Sequence, residues 1–587
     1  MSILIKTVRI SGFRGLENIE VPLEETTVLT GMNNTGKTSF LKALQLSLGS
    51  RQFVSQDDFF IHGSLISDKI IIDLLIVPLS DDGTQMEEFP EEWEILFTTD
   101  RVRNNAEGAA FVPLRTVITF DIIKNNYNTQ QYILQDWPEF EQDDGSKWFE
   151  AEDAKRTNFR FDEIPFYYMD AQRDILEDTK LKNSYLGRML SKIEYSPGDL
   201  QEIEDQIKIL NEKAVSSSDI LSNIKTNLKE LNTAMDSHGD GIEITPFTKK
   251  VRDLNKGLTI YYTDNRDSFS MEYHGMGTRS WSSLLTLKSF ITLLSNNAQK
   301  DKSVFFPVLA IEEPEAHLHP NAQKKLFRQI EAIAGQKIIS THSPYISATA
   351  TLAQLRNFYK DRTVTCGRML VDILSPEDIR KINRQVINTR GEIFFSKLII
   401  FFEGETEEQA LPILAQKYFG KTPVELALDF VGVGGHGGYL PFIRFAESFN
   451  IPWLIFSDAE NTPDKNIKAS VKDQFSKCGS KKDETECVVF LDDGKDFERQ
   501  LLDDGYGDEI KKAIISLDNY ANKKHKAAKV KEIADYNNEK LYEIITGTKT
   551  QYGPAIAEQI IGSEKALPPK VVDLFSRISA ILHLEEA

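Results

Sequence analysis

The sequence predicts an α/β protein in two parts, and three observations predict it. An apolar, β-branched strand, Thr26 to Thr30, runs into the loop Gly31-x-x-x-x-Gly36-Lys37-Thr38 and out into a helix carrying Phe40, Leu41, Leu44 and Leu48. Far downstream, "SVFFPVLAIEEPEAHLHP" (303–320) is a second apolar strand that stops on the adjacent carboxylates Glu312 and Glu313. Three more apolar strands then end in acidic residues: "KLIIFFEGETEEQALPIL" (397–414), "PWLIFSDAE" (452–460) and "CVVFLDDGKDFERQLL" (487–502). Strands that alternate with helices and place polar residues at their carboxyl ends belong to open parallel sheets, which bind ligands at that edge.

The first loop specifies a phosphate site. Its glycines let backbone amides curl around phosphate oxygens, and the helix behind adds its positive end. Lys37 is placed to reach the β and γ phosphates of ATP and the Thr38 hydroxyl to hold Mg²⁺; Asn34, Thr35, Gly36, Lys37, Thr38 and Ser39 are the expected nucleotide contacts. If the Glu312 strand shares the same parallel sheet, its two acids stand beside the loop. Glu312 then completes the Mg²⁺ shell and Glu313 polarises the attacking water. "KIISTHSPYI" (337–346) brings His342 to a strand end, where an imidazole can sense a γ phosphate. "MEYHGMGTRSWSSLLTL" (271–287) sets a Gly275-Met276-Gly277-Thr278 turn before an apolar helix.

Composition bounds the rest. At 587 residues, with 41% hydrophobic and 27% charged, the chain is a globular protein of three or four domain-sized units. It has no run of about 18 apolar residues, and "MSILIKTVRISGFRG" reads as an alternating strand, not a signal peptide, so no membrane association is expected. Cys366, Cys478 and Cys487 show neither disulfide nor zinc spacing, which fits a reducing cytoplasm. A net charge of −20 argues against non-specific adhesion to nucleic acid but leaves room for a local basic groove. Lysines cluster twice, at Lys465, Lys468, Lys472, Lys477, Lys481 and Lys482 and at Lys523, Lys524, Lys526, Lys529 and Lys531; solvated helix faces are the plain reading of both.

"ISGFRGLENIEVPL", the Gly-rich loop, "DAQRD" (170–174), "HGMGTRS", "AIEEPEAHLHP" and "STHSP" occur in an order that resembles ABC-type ATPases of the RecF, SMC and OLD (overcoming lysogenisation defect) group. The resemblance implies Gln172 as the Q-loop glutamine, "HGMGTRS" as the signature segment, Glu313 as catalytic glutamate, His317 to His319 as the D-loop region and His342 as the switch histidine. The signature departs from Leu-Ser-Gly-Gly. In such heads it completes the site of a second subunit, so at least a homodimer is implied. Within 200–235, Ile203, Ile207, Leu210 and Ala214, then Ile220, Ile224, Leu228 and Leu231, recur at helical spacing about an "SSSD" break. This predicts an inserted helical hairpin, over about 180–245, for packing or dimerisation.

In the last third, Glu403 ends a strand, Gly404-Glu405 turns the chain, and Thr406 reads as an N-cap with Gln409 completing a capping box. Glu403 and Glu407 then face the sheet's ligand edge, while Glu408 needs no role beyond complementing the helix dipole. "LALDFVGVGGHGGYLPFIRFAESFNIPWLIFSDAEN" (426–461) is strand, glycine turn, helix and strand, ending at Asp458 and Glu460; the next strand is followed by Asp496 and Glu498. Oxygen-only ligands suit Mg²⁺ or Mn²⁺, and no Cys/His cluster invites zinc. The pattern Glu-Gly-x-Thr-Glu, a Gly-bearing βα unit and Asp-x-Glu resembles a TOPRIM domain, with Asp-Ala-Glu in place of Asp-x-Asp. An ATPase of ABC type over 1–390 followed by TOPRIM over 391–587 resembles the OLD family, and within it the Gabija anti-phage nuclease subunits in size and layout. OLD-type nucleases carry a late lysine before a helix, which "TGTKTQYGPAIAEQI" (546–560) supplies as Lys549.

The expected activity is therefore a metal-dependent DNA endonuclease under ATP control, acting on double-stranded DNA. One cation held by Glu403, Asp458 and Glu460 activates water; a second near Glu407, Asp496 and Glu498 neutralises the leaving oxygen, with Lys549 steadying the phosphorane. The resemblance adds prokaryotic defence, a homodimer or higher oligomer up to a tetramer, and a UvrD-like helicase partner. The rival reading is a RecF-like ATP-dependent DNA-binding or repair protein with an inactive TOPRIM domain. A topoisomerase would need a nucleophilic tyrosine in a cleavage domain, and a primase a zinc module.

Overall fold

The computed structural model of the protein describes residues 2–584 apart from 50–52, 64, 81, 122–124, 141–147, 151–153, 181–187, 189–195, 223–260, 265–266, 362, 370–373, 388–390, 463–464 and 481. The chain divides into two compact units, one of Met1–Tyr168, Val308–Glu313 and Gln336–Ala587, the other of Met169–Pro307 and Pro314–Gly335.

The first unit holds three large sheets. In the N-terminal one, Ser2–Phe13 pairs antiparallel with Leu16–Pro22 and with Lys69–Leu79, and the sheet continues through Ala110–Asp121, Asn126–Leu134 and Ala154–Thr157. In the second, Val308–Glu312, Gln336–Ser340, Thr26–Thr30 and Leu355–Asp361 lie side by side and parallel. Their register sets Glu312 level with Ser340 and Ser340 level with Leu29, so the acidic strand end and the Gly-rich loop reach the same edge. All residues of "TTVLT" and "VLAIE" are buried, as expected of strands covered on both faces.

The third sheet is the smaller α/β layer expected after residue 391. Its order is Leu428–Gly432, Leu398–Phe402, Trp453–Ser457, Val488–Phe490, and every pair is parallel. The central strand "LIIFF" is wholly buried because both faces are covered. Leu398, Ile400 and Phe402 pack with Leu411 and Leu414 of the helix Glu405–Phe419, while Phe401 lies against Phe442 and Trp453. That helix also packs on Lys549–Ile561, where Gly553 permits the approach: a Cβ there would stand 3.2 Å from the Thr406 carbonyl oxygen.

In the second unit the long helix Met276–Asp301 buries Gly277, Ser280, Ser283, Leu284, Leu287, Phe290 and Ile291, one face at helical spacing. The turn expected at Gly275 to Thr278 is already helical: Gly275 is the N-cap. Gly277 faces the His317 carbonyl oxygen, which a Cβ would approach to 2.4 Å, so this glycine serves close packing and not a turn. Of the inserted hairpin, Pro197–Ser216 is a helix capped by Ser196; Ile220, the first apolar position of the expected second arm, is helical and exposed, while Ile224, Leu228 and Leu231 lie outside the described residues. Among the described residues, no helix is long and apolar enough to cross a membrane, and all three cysteines are free.

Candidate functional site

Two acid-lined sites occupy strand ends of the first unit. At the Gly-rich loop, Gly31 has φ 124° and a Cβ on it would fall 2.2 Å from the Phe358 carbonyl oxygen; Gly36 has φ 91°. These positions accept only glycine, and the loop they shape is one a phosphate can fill. Lys37 is buried and donates to the carbonyl oxygens of Gly31 and Met32, each at 2.8 Å. Thr35 closes the loop on Met32 at 2.8 Å, and Asn34 adopts a left-handed φ of 61°. Ser39 is half-buried in the first turn. Thr38 donates to one oxygen of Glu312 and Tyr168 to the other, so the hydroxyl and the acid expected to share Mg²⁺ already meet.

Glu313 sits next to Glu312 with φ 43°, a left-handed conformation that costs a non-glycine residue about 1 kcal/mol or more. Its amide is held by the Ser340 carbonyl at 2.9 Å, and its Oε1 lies 3.8 Å from Nε2 of His342. Burial, with the charge of Lys37, pulls His342 down to about 4, so the imidazole is neutral at physiological pH. Gln172 and the helix start at Gly275 belong to the second unit, where Gln172 is exposed and Arg173 ties to the Pro314 carbonyl at 2.8 Å.

The second site lies at the carboxyl edge of the four-stranded sheet. Glu403 follows the central strand and accepts from Tyr439 at 3.1 Å and Ser457 at 2.7 Å. Ser457 ends the adjacent strand and is followed by Asp458, which brings the first two acids to one place. Glu407 is 2% exposed in the first turn of the helix Glu405–Phe419 and folds back over Gly404, where a Cβ would stand 2.2 Å from its Oε2. Asp496 caps the helix Phe497–Asp503 through the Arg499 amide at 2.9 Å and accepts from Tyr542 at 2.7 Å. Glu498, 1% exposed, accepts from Thr406 at 2.6 Å and pairs with Lys549 at 3.0 Å.

Thr406 therefore does not cap its helix. Gly404 is the N-cap, with no side-chain bond, and Thr406 lies inside the first turn with its hydroxyl on Glu498. The Thr-x-x-Gln spacing satisfies the capping rule equally well at a position buried against another carboxylate.

Electrostatics makes the cluster unusual. Burial first, then the charges of Glu407, Glu403, Asp496 and Glu498, push Asp458 up to about 9. Burial and then Glu498 raise Glu407 to about 8, and the same two causes raise Asp496. Burial works to lower the Lys549 ammonium, but Glu498, Asp496 and Glu407 outweigh it and leave it raised. Oδ1 of Asp458 and Oε2 of Glu407 are buried with no hydrogen-bond partner. Buried carboxylate oxygens without donors are expensive unless a cation meets them, so this donor set fits a hard divalent ion. No group of three or more acids, histidines or cysteines stands in ready ligand geometry among the described residues. Glu498 is turned to Lys549 and Thr406, and Asp496 to Tyr542. Glu460 is half-buried and its charge bears on Tyr542, on the Asp496 side of the cluster.

Sequence reasoning missed Tyr439, Ser457 and Tyr542. Ser457, directly before Asp458, carried a local signal; the two tyrosines, 36 and 46 residues from the acids they meet, carried none.

Residues 4–347 match a family model described as an AAA ATPase domain, and residues 394–459 match one described as an Overcoming lysogenization defect protein-like TOPRIM domain. The Old nuclease of Escherichia phage P2 is 22% identical over 484 residues, 78% of each chain. The OLD nuclease of Thermus scotoductus is 24% identical over 493 residues, 78% of this chain and 83% of that one. Endonuclease GajA of Bacillus cereus is 22% identical over 459 residues, 74% of this chain and 69% of that one. The two matched domains imply use of a nucleotide and a divalent metal. With its first model spanning more than half of the residues, the chain belongs to the AAA ATPase domain family, and it carries an overcoming-lysogenization-defect-like TOPRIM domain behind that ATPase.

Proposed function

We propose that the protein is an endonuclease that cuts double-stranded DNA with Mg²⁺ or Mn²⁺, under the control of ATP bound at the Gly-rich loop. The observation that carries this is the crowding of Glu403, Glu407, Asp458, Asp496 and Glu498 at one sheet edge, two of them with unpartnered buried oxygens. Glu403, Glu407, Asp458 and Glu460 would hold a divalent cation, with Glu498 and Asp496 beside them. When bound, the ion supplies water activation and charge neutralisation at the scissile phosphate. Lys549 adds a fixed positive charge for the phosphorane or leaving oxygen, and Tyr439, Ser457 and Tyr542 hold Glu403 and Asp496 in orientation. On the nucleotide side, Lys37 would exchange loop carbonyls for phosphate oxygens, and Thr38 with Glu312 would hold the Mg²⁺ that accompanies ATP. Glu313, assisted by neutral His342, orients water.

The nuclease names of the relatives support this reading, and GajA supports a place in anti-phage defence. We place the ATPase over 1–390, with its inserted dimerisation segment near 180–245, and the nuclease domain over 391–587. A homodimer or higher oligomer, a UvrD-like helicase partner and a cytoplasmic location complete the proposal. The alternative, a RecF-like DNA-binding protein with a silent TOPRIM domain, is favoured by one observation: Glu498 is already neutralised by Lys549. Supercoiled plasmid incubated with Mg²⁺ or Mn²⁺, with and without ATP, separates them. Nicking that Glu403→Ala abolishes supports the nuclease; intact plasmid under every metal and nucleotide condition supports the alternative.

A further inference from the structure

The two lysine clusters of the C-terminal region look alike in sequence and differ in the structure. In the first, each described lysine head that pairs finds an acid from its surroundings: Lys468 with Asp493, Lys472 with Glu484 at 3.4 Å, Lys477 with Asp473 at 2.6 Å and Lys482 with Glu447 at 2.9 Å. In the second, on the helix Lys523–Ala534, Lys529 pairs with Glu532 at 2.9 Å and Lys526 lies over the Tyr520 ring. Lys523, Lys524 and Lys531 are described residues that meet no carboxylate among the described residues. All three are exposed and stand on this one helix.

Stability does not explain this helix. Ile533 is its one buried residue, so little apolar packing holds it. Lys523, Lys524 and Lys526 stand near its start, and its first turn has no acid. Cations at the positive end of a helix are destabilising. Charge placed against the fold's own preference points to an external anion.

The helix is also tied to the acid cluster. Lys511 holds its C-terminal Ala534 carbonyl at 2.8 Å, and the next helix, Asn538–Thr546, delivers Tyr542 to Asp496. The helix after that begins at Lys549, paired with Glu498. One continuous segment thus joins unpaired lysines to the candidate cleavage site.

We propose that the exposed lysine face of Lys523–Ala534, with Lys523, Lys524 and Lys531, docks the phosphate backbone of duplex DNA and presents it to that site. This rests on the nuclease reading. A rod of closely spaced phosphates is the polyanion that one exposed, unpacked helix can follow, and such contacts are independent of sequence.

The test measures binding of a short labelled duplex to the full-length protein in EDTA across a salt series. Replacing all three residues (Lys523→Ser, Lys524→Ser, Lys531→Ser) should weaken binding at least tenfold. It should also flatten the slope of log affinity against log salt by about 2–3, near 0.9 for each phosphate no longer neutralised. Their replacement by arginine should restore both, with an unchanged melting temperature. If the serine variant melts early, Lys524→Glu and the arginine variant carry the test, with loss and retention of binding expected respectively. An unchanged slope, or no duplex binding by the wild type, overturns the proposal. So does a loss confined to poly-glutamate or single-stranded RNA with duplex binding intact. Plasmid nicking runs alongside: nicking with an unchanged slope ends the docking proposal alone, and a changed slope without nicking ends the nuclease reading alone.

Discussion

The Gly-rich loop and the C-terminal acid cluster stand at carboxyl edges of parallel sheets in one compact unit, yet they solve their electrostatics in opposite ways. At the loop the central charges have partners: Lys37 is held by two carbonyls, and both oxygens of Glu312 accept hydroxyls. At the cluster, five acids crowd together with Lys549 on one of them, and two buried oxygens have no donor. The first site is self-satisfied, so nucleotide binding exchanges partners and gains little from relief of repulsion. The second is under tension that a divalent cation removes. Metal should therefore stabilise the protein chiefly through the C-terminal site.

The largest expected effect separates the sites outright. Glu403→Ala should lower nicking by at least about 100-fold, a typical loss for a removed electrostatic group, while binding of a fluorescent ATP analogue persists. Lys37→Ala should weaken the analogue while leaving the metal-induced rise in melting temperature in place. If Lys37→Ala erases that rise, the sites are not electrostatically separate.

Next comes Gly404→Ala. Its Cβ would meet Glu407 Oε2 at 2.2 Å and drive the carboxylate from its place. Displacement of about 1 Å in a catalytic constellation costs on the order of 100-fold, so nicking should fall by roughly 10–100-fold with the fold intact by circular dichroism. The loop glycine Gly31 sharpens the contrast: its obstacle is the Phe358 backbone, so Gly31→Ala should damage nucleotide binding and folding together.

A pH effect follows from the raised acids. Asp458, near 9, and Glu407, near 8, bind protons more tightly when folded than the ordinary carboxylate values near 4 of an unfolded chain. The native state then holds more protons, and in EDTA stability should fall as pH climbs from about 5 toward 9. Added Mg²⁺ should raise the melting temperature more at pH 9 than at pH 7, and Asp458→Asn should flatten the EDTA profile. A flat profile in the wild type would contradict the tension assigned to this site. The smallest effect is expected for Tyr542→Phe, which removes one hydrogen bond to Asp496, worth about 1 kcal/mol. Nicking should drop by less than about tenfold.

Much of this architecture was legible because it is local. "TTVLTGMNNTGKT", "VLAIEE" and "LIIFFEGETEE" each announce a strand together with the loop or acids at its end, all within a dozen or so residues, and the structure builds each as a buried parallel strand. Local pattern could not supply contact across the fold. Thr406 meets Glu498 over a separation of 92 residues, and the capping rule offered a satisfying but incorrect use for its hydroxyl. Gly275 and Gly277 read as a turn, whereas the second packs against the His317 carbonyl. The two lysine runs look alike in sequence because part of their pairing depends on acids from other elements, as where Lys468 meets Asp493 and Lys482 meets Glu447.

The order of strands in the second sheet has a consequence for synthesis. Thr26–Thr30 emerges early, but both of its neighbours, Gln336–Ser340 and Leu355–Asp361, lie more than 300 positions later. At roughly 5–20 residues per second the ribosome needs about 15–60 s to deliver them. Through that interval the loop strand has neither native partner, so nascent chains released before the second neighbour emerges cannot assemble the nucleotide pocket.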